Sequence, residues 1–139
     1  MDKEQILLVQ QSLDKIVPKA EPVAALFYSK LFEIDPSLKV LFKGDMQEQG
    51  RKLMTMIAVA VQGLSNLETL VPAAQALGKR HVKYGVKDKD YDTVGTALLA
   101  TLSIGLGADF TPELKDAWTQ TYVLLAGVMK TADLQGNDF

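Results

Sequence analysis

The single histidine of the chain, His81, is the residue with the broadest chemical potential. It lies in the basic stretch GKRHVKYGV, residues 78–86, at the predicted end of a helix and just before a glycine. An imidazole can bind a metal or move a proton. The chain has no cysteine and no second histidine, so it lacks the usual donors of a zinc site. A lone histidine in a helical chain is more often a surface or hydrogen-bonded core residue than a ligand, and its role therefore depends on the surrounding elements.

The composition is that of one globular domain spanning residues 1–139. Hydrophobic residues make up 47% of the chain and charged residues 23%, as in ordinary folded domains. The net charge of −2 argues against a nucleic-acid partner, which favours a basic surface. The charged start MDKEQ does not have the pattern of a secretory signal, and MIAVAV at 56–61 is too short to cross a membrane. We therefore expect a cytoplasmic protein without a membrane partner.

The first half of the chain has the periodicity of helices. One predicted helix carries an apolar stripe; the second covers about 20–34. Asp35 is expected to cap a short helix that has Pro36 in its first turn, and a loop follows at 42–47. A long helix is predicted over about 47–62, ending at Gly63. The stripe of the first helix contains Ile6, Val9, Leu13, Ile16 and Val17.

The second half is also predicted to be helical. Ser65 and Glu68 have the spacing of a capping box that opens a short segment. Pro72 is expected to interrupt that segment and to begin the helix that carries His81. Further helices are predicted from 87 to about 106 and from Thr111 onward. Seven or eight helices without strands indicate an all-α domain.

Such a domain can hold a haem, because haem iron can be bound by a single protein ligand. The residues alone leave other interpretations open. Gln49 fits a solvated helix surface, and Tyr28 fits a core aromatic with its hydroxyl at the edge. Asp88 and Asp90 fit helix caps that complement the helix dipole.

Five segments together resemble the globin family, most closely the single-domain bacterial globins and the globin half of flavohaemoglobins. The similarity covers about residues 4–130 and implies a globin fold around a haem pocket. Gln49 precedes His81 by 32 residues, and Tyr91 follows it by ten; both spacings fit the flavohaemoglobin pattern. The segments are LFYSKLFEIDPSLKVLF at 26–42, EQGRKLM at 48–54, LGKRHVKYGV at 77–86, YDTVGTALLATL at 91–102 and DAWTQTYVLLAGVM at 116–129.

The resemblance implies a role for individual residues. His81 matches the proximal ligand of haem b iron, and Tyr28 and Gln49 match the distal pair that stabilises a bound ligand. Phe42 matches the phenylalanine on the haem face, and Leu53 the apolar residue over the iron. The other implied cofactor contacts are Tyr91 near the proximal histidine, Leu77, Val86 and Val94, with Lys52 and Arg80 as candidate partners of the haem propionates.

The resemblance also implies reversible binding of O2, NO and CO at a five-coordinate iron. Nitric oxide dioxygenation would require a separate reductase, because these 139 residues contain no reductase segment. The family's proximal His–Tyr–Glu network also looks incomplete, since Gln135 or Asp133 stands where its glutamate is expected. We expect oxygen binding to survive this difference and redox chemistry to be reduced, so enzymatic activity is left open.

Three alternatives remain at this stage. The domain could be an oxygen or NO sensor, or a globin-fold interaction module that binds no haem. The intact set of His81, Phe42, Tyr28 and Gln49 argues against the second of these. A methionine as sixth iron ligand is a weaker alternative; the candidates are Met46, Met54 and Met56.

Overall fold

The computed structural model describes residues 1–136, apart from the side chains of residues 83 and 132–136. Gln135 and Asp133, the candidates for the proximal network, thus lie outside the described side chains. Over residues 1–136 the chain forms six α-helices joined in part by four 3₁₀ turns, so the all-α prediction is confirmed with fewer helices than expected. The helices are α1 (Lys3–Ile16), α2 (Ala20–Ile34), α3 (Met46–Gln62), α4 (Leu67–Lys83), α5 (Asp88–Leu106) and α6 (Pro112–Gly136); the 3₁₀ turns are Val17–Lys19, Pro36–Leu41, Gly63–Ser65 and Gly107–Asp109.

Most helix ends follow the local rules that the sequence indicates. The Asp35 carboxylate accepts from the backbone N–H of Ser37 at 3.1 Å and begins the turn Pro36–Leu41. The Thr111 hydroxyl accepts from the backbone N–H of Leu114 at 3.2 Å and caps α6. After α4, Gly85 has φ +90°, a conformation that costs glycine little.

Helix α4 differs from the prediction at Pro72 and at the capping box of Ser65. The helix is continuous through Pro72, which lies in its second turn and removes only the hydrogen bond to the Glu68 carbonyl. Ser65 belongs to the preceding 3₁₀ turn, and the N-cap of α4 is Asn66 without a side-chain cap. The predicted capping box is therefore wrong, because the backbone enters the helix one residue later than the pattern requires.

The apolar stripe of α1 is confirmed except at its last residue. Val9, Leu13 and Ile16 are buried, whereas Val17 is 51% exposed. Helix α1 ends at Ile16, and Val17 begins a 3₁₀ turn that leads to Pro18. The change of helix type rotates Val17 away from the core.

Two apolar clusters fill the interior. The larger one surrounds Trp118, whose indole Nε1 donates to the Ser12 hydroxyl at 2.8 Å. The smaller one surrounds Tyr28 and lies between α2, α5 and the turn before α3. All six helices contribute buried residues to the larger cluster, with Val23 from α2 and Leu70 from α4.

Helix α4 is held against α6 at very close range. A Cβ placed on Gly78 would lie 2.8 Å from the Met129 Cα and would overlap its carbonyl oxygen. Only glycine permits this approach. The contact fixes the position of α4 three residues before His81.

Within the described residues, no helix is long and apolar enough to cross a membrane.

Candidate haem site

The imidazole of His81 has a defined orientation. Its Nδ1 lies 2.9 Å from the carbonyl oxygen of Leu77, one turn earlier in α4. A carbonyl can only accept, so Nδ1 carries the proton and Nε2 keeps its lone pair. Burial lowers the pKa of His81; the bond to Leu77 opposes this, and the neighbouring Arg80 charge adds to it. The ring is therefore a neutral donor at neutral pH.

Two tyrosines flank the imidazole. The Tyr91 ring is stacked beside it, with ring centroids 6.4 Å apart at 27°, and the exposed Tyr84 ring lies 6.2 Å away. Tyr91 is fixed through its own carbonyl, which accepts from the Tyr122 hydroxyl at 2.5 Å. Burial raises the pKa of Tyr91, and the nearby Asp88 charge adds to the effect. Tyr91 thus limits the rotation of the histidine ring by contact.

Tyr28 brings a buried phenol into the smaller apolar cluster. It lies on α2 and is 6% exposed, and its hydroxyl is 3.5 Å from the Gln49 carbonyl oxygen, a long and weak hydrogen bond. Burial raises the pKa of Tyr28, and a hydrogen bond with the Gln49 side chain partly offsets this. Tyr28 therefore stays protonated at neutral pH and can donate.

An aromatic wall surrounds Tyr28. Phe42 meets the tyrosine ring edge to face at 5.3 Å, and Phe32 stacks on it at 6.0 Å. Leu53 and Val94 pack against the same cluster. The sequence analysis did not single out Phe32. Its position four residues after Tyr28 on α2 was the available signal, because such residues are neighbours on one helix face.

The site residues fall into two groups joined by α5. Tyr28, Phe42, Leu53 and Val94 share the aromatic cluster, while Leu77 and Tyr91 each lie against His81 near the end of α4. Tyr91 and Val94 are three residues apart on α5 and so lie on one face of it. Gln49 joins the first group, and Val86 joins the second through its N–H, which donates to the His81 carbonyl at 3.0 Å.

The two cations predicted near the cofactor are exposed. Lys52 precedes Leu53 on α3, and Arg80 precedes His81 on α4. In the part of the chain that the structure describes, neither has an ion-pair partner within 4.0 Å. Each is thus free to meet an anionic group at the edge of the site.

The donor atom of His81 and the apolar side chains of the site are of the kinds that bind a haem. A neutral imidazole with a free Nε2 is the commonest axial donor to haem iron. Its second nitrogen is bonded to a backbone carbonyl, as is usual for a metal-binding histidine. The aromatic and aliphatic cluster supplies the apolar surroundings that a porphyrin requires, with a phenol as its polar group.

Comparison with known proteins assigns the fold and the family. A sequence model of the globin family matches residues 25–129. A bacterial globin from Campylobacter jejuni has the same fold, with a TM-score of 0.85 at 25% identity over 99% of this chain and 100% of that one. Neuroglobin-1 of Oncorhynchus mykiss is 32% identical over 92% of this chain and 87% of its own length. The flavohemoprotein of Rhodopirellula baltica is 28% identical over 92% of this chain.

The chain belongs to the globin family. Family membership supports haem and oxygen binding as its general function, and it confirms the resemblance drawn from the motifs. The chain spans about a third of the length of the flavohemoprotein, because the match covers 32% of that protein.

Proposed function

We propose that the protein reversibly binds O2, NO and CO as a globin with haem b, in which His81 is the axial ligand and Tyr28 and Gln49 face the diatomic ligand. The observation that carries the proposal is the bond from His81 Nδ1 to the Leu77 carbonyl, which leaves Nε2 as donor. When bound, the haem iron supplies an open coordination position for the gas.

The distal residues provide the polarity of the pocket. The Tyr28 hydroxyl is protonated and only weakly engaged by the Gln49 carbonyl at 3.5 Å, so a ligand with partial negative charge competes well for it. One such hydrogen bond contributes about 1–1.5 kcal/mol, which corresponds to roughly tenfold slower ligand loss. The Gln49 amide supplies a second donor and is half-buried beside Tyr28.

The remaining site residues hold the cofactor in place. Phe42, Leu53 and Val94 offer apolar contact from the cluster around Tyr28, while Leu77 and Val86 offer it from either side of His81. Lys52 and Arg80, which have no ion-pair partner among the described residues, pair with the haem propionates. Such exposed pairs contribute little energy each, so the apolar contacts carry most of the affinity.

We also propose that the protein supports nitric oxide dioxygenation in the cytoplasm when a separate reductase supplies electrons. The reaction consumes NO, O2 and one electron and yields nitrate. The similarity to a flavohemoprotein over 92% of this chain supports this activity. In this activity the Tyr28 hydroxyl would donate a hydrogen bond to O2 in the pocket.

Absorption spectroscopy of the haem-supplied protein tests the proposal. Ferric, dithionite-reduced, oxygenated and CO-bound forms are recorded for the natural chain and for His81→Ala. We expect stoichiometric haem uptake and a Soret band that shifts with CO, lost or altered in the variant. Absence of stoichiometric haem uptake contradicts the proposal and favours a haem-free interaction domain.

A further inference from the structure

Positive charge is concentrated in two short segments. Residues 36–44 and 79–89 hold seven of the fifteen lysines and arginines but one of the seventeen acidic residues. These 20 residues therefore carry a net charge of +6, and the other 119 carry −8, for the overall −2. Asp35, Asp45 and Asp90 border the two segments, and with these three carboxylates included the net charge is +3. A field of this sign steers a partner of opposite charge.

The two segments meet in space beside the candidate haem site. A Cβ placed on Gly85, in the corner between α4 and α5, would lie 3.7 Å from Leu41 Cδ2. Near the same corner, Lys89 is close enough to Asp35 to help lower the pKa of that carboxyl, whose largest cause is the hydrogen bond from Ser37. We call this surface the basic corner; its exposed members include Lys39, Lys43, Arg80, Tyr84, Lys87 and Lys89.

Four cations of the basic corner are available for a partner, namely Lys39, Lys43, Lys87 and Lys89, whereas Arg80 is the one proposed to pair with a haem propionate. Among the residues that the structure describes, none of the five has an ion-pair partner within 4.0 Å. The Lys39 Nζ atom lies over the Phe32 ring, 5.8 Å from the ring centroid. Of the nearby carboxylates, Asp35 accepts from Ser37, Asp45 accepts from the Gln47 backbone N–H, and buried Asp90 accepts from the Lys87 backbone N–H. Asp88 is exposed. The surface thus keeps a net positive charge in the presence of these carboxylates.

An exposed aromatic residue lies within the basic corner. Tyr84 is 63% exposed, and its ring centroid is 6.2 Å from that of His81. Tyr84 and Arg80 are one helical turn apart and share a face of α4. Tyrosine and arginine are enriched at binding interfaces. Here the Tyr84 ring lies next to the His81 ring, and Arg80 precedes His81 in the sequence.

We propose that the basic corner is the docking surface for an acidic electron-transfer protein that reduces the ferric haem. This inference rests on the proposed function, because it supplies the electron that dioxygenation consumes. The partner's flavin hydroquinone anion loses one electron and becomes the neutral semiquinone, while iron(III) becomes iron(II); no bond to carbon, nitrogen or oxygen changes. The negative charge of the partner attracts it to the basic corner, which lies on the side of the molecule that carries His81.

The test measures reduction of the ferric holoprotein by an acidic flavodoxin in its hydroquinone form. Stopped-flow absorption gives the second-order rate at about 10 mM and about 150 mM salt, since screening differs strongly between them. We expect the rate to fall at least about tenfold with salt. We expect a similar loss at low salt for Lys43→Glu/Lys89→Glu, and weaker binding of oxidised flavodoxin in titration calorimetry.

A matched pair of substitutions controls for net charge. Lys3→Glu/Lys115→Glu makes the same change on α1 and in the first turn of α6. Lys115 is fourteen residues from Met129, the α6 residue that meets Gly78, which is about 21 Å along the helix. We expect this pair to change the rate less than about twofold. Reduction by dithionite and binding of CO report on the haem site itself and should be alike in both pairs.

Three outcomes overturn the docking surface. The reduction rate can be independent of salt. The two pairs of substitutions can also lower the reduction rate equally, which means that net charge alone controls it. Alternatively, the natural protein can sediment with phosphatidylserine vesicles. If Lys43→Glu/Lys89→Glu abolishes this sedimentation and leaves the rate of reduction by flavodoxin unchanged, the basic corner is a membrane-binding face. In each case a normal CO spectrum shows that the proposed haem function stands, and loss of that spectrum in the natural protein contradicts the haem function instead.

Discussion

The Nδ1 atom of His81 lies 2.9 Å from the carbonyl oxygen of Leu77, one turn earlier on the same helix. A backbone carbonyl is a weaker acceptor than a carboxylate, so the imidazole gains less basicity than in a carboxylate–histidine pair. The proximal side therefore orients the ring without giving it strong anionic character. Such an arrangement suits reversible ligand binding better than chemistry that relies on a strong electron donor.

Replacing Tyr91 by Phe should leave the iron–histidine stretching frequency of the ferrous protein unchanged. The Tyr91 ring is stacked beside His81, and the Nδ1 proton goes to Leu77, so the tyrosine hydroxyl does not set the donor strength. Resonance Raman spectroscopy measures the frequency. His81→Gly supplied with free imidazole is the control, since that ring lacks the covalent tether that holds Nδ1 at the Leu77 carbonyl, and its frequency should shift. A shift for Tyr91→Phe as large as in this control would show that the hydroxyl bonds to Nδ1.

Replacing Tyr28 by Phe should accelerate O2 release by roughly tenfold, because one hydrogen bond of about 1–1.5 kcal/mol is lost. Gln49→Leu removes the second donor, and we expect a smaller acceleration. CO release should change less in both variants, since bound CO carries little negative charge. Stopped-flow ligand displacement measures all of these rates.

Tyr122→Phe is the matched control for Tyr28→Phe. It removes the hydroxyl of half-buried Tyr122, which donates to the Tyr91 carbonyl and does not belong to the aromatic wall. We expect O2 release within about twofold of the natural protein even where stability falls. Equal acceleration in Tyr28→Phe and Tyr122→Phe would mean that general loosening, and not a distal hydrogen bond, controls release.

Local chemistry predicted most helix ends, because a cap is decided within a few residues. Asp35, Thr111 and Gly85 act as their types and positions indicate. Pro72 did not, since its effect depends on the rest of the fold. Helix α4 packs along α6 closely enough for Gly78 to touch the Met129 backbone, and this packing offsets the hydrogen bond that the proline removes.

Residue types and spacing identified the candidate site but left its geometry undetermined. The positions of Tyr28, Phe42 and His81 in the sequence indicated a globin. The acceptor for Nδ1 is a main-chain atom, which no side-chain pattern reveals. The stacking of Phe32 on Tyr28 and the bond from Tyr122 to the Tyr91 carbonyl depend on how helices cross, and the sequence carries only weak signals of that.

The buried bond between Trp118 and Ser12 predicts a measurable loss of stability for Ser12→Ala. The serine hydroxyl accepts from the indole Nε1 and donates to the Val9 carbonyl, both at 2.8 Å. The substitution leaves a buried indole N–H without a partner, which costs about 1–3 kcal/mol in free energy of unfolding. Urea unfolding followed by the fluorescence of the only tryptophan measures it.

Ser103→Ala provides the comparison for Ser12→Ala, because Ser103 is exposed on α5. Its effect should stay within about 0.5 kcal/mol. Equal losses in the two variants would mean that the indole is satisfied in another way. A blue or red shift of the folded-state emission in Ser12→Ala alone would support the hydrogen bond.

The contact between α4 and α6 predicts opposite effects for two glycine substitutions. In Gly78→Ala the new methyl group meets the Met129 backbone at 2.8 Å from Cα, and backbone cannot turn aside as a side chain does. Such overpacking costs about 1–3 kcal/mol, which outweighs the helix-propensity gain of about 1 kcal/mol for alanine over glycine. In Gly127→Ala nothing lies within 4 Å of the new methyl group, so only the gain remains and the melting temperature should rise.

Displacement of α4 by Gly78→Ala should also reach the site, because Gly78 precedes His81 by less than one turn. We expect faster transfer of haem to an excess of an apoglobin acceptor in Gly78→Ala and an unchanged rate in Gly127→Ala. Differential scanning calorimetry and the absorbance change on haem transfer measure the two effects on the same samples. A lower melting temperature with an unchanged transfer rate would show that α4 adjusts without moving His81, and the glycine would then serve packing alone.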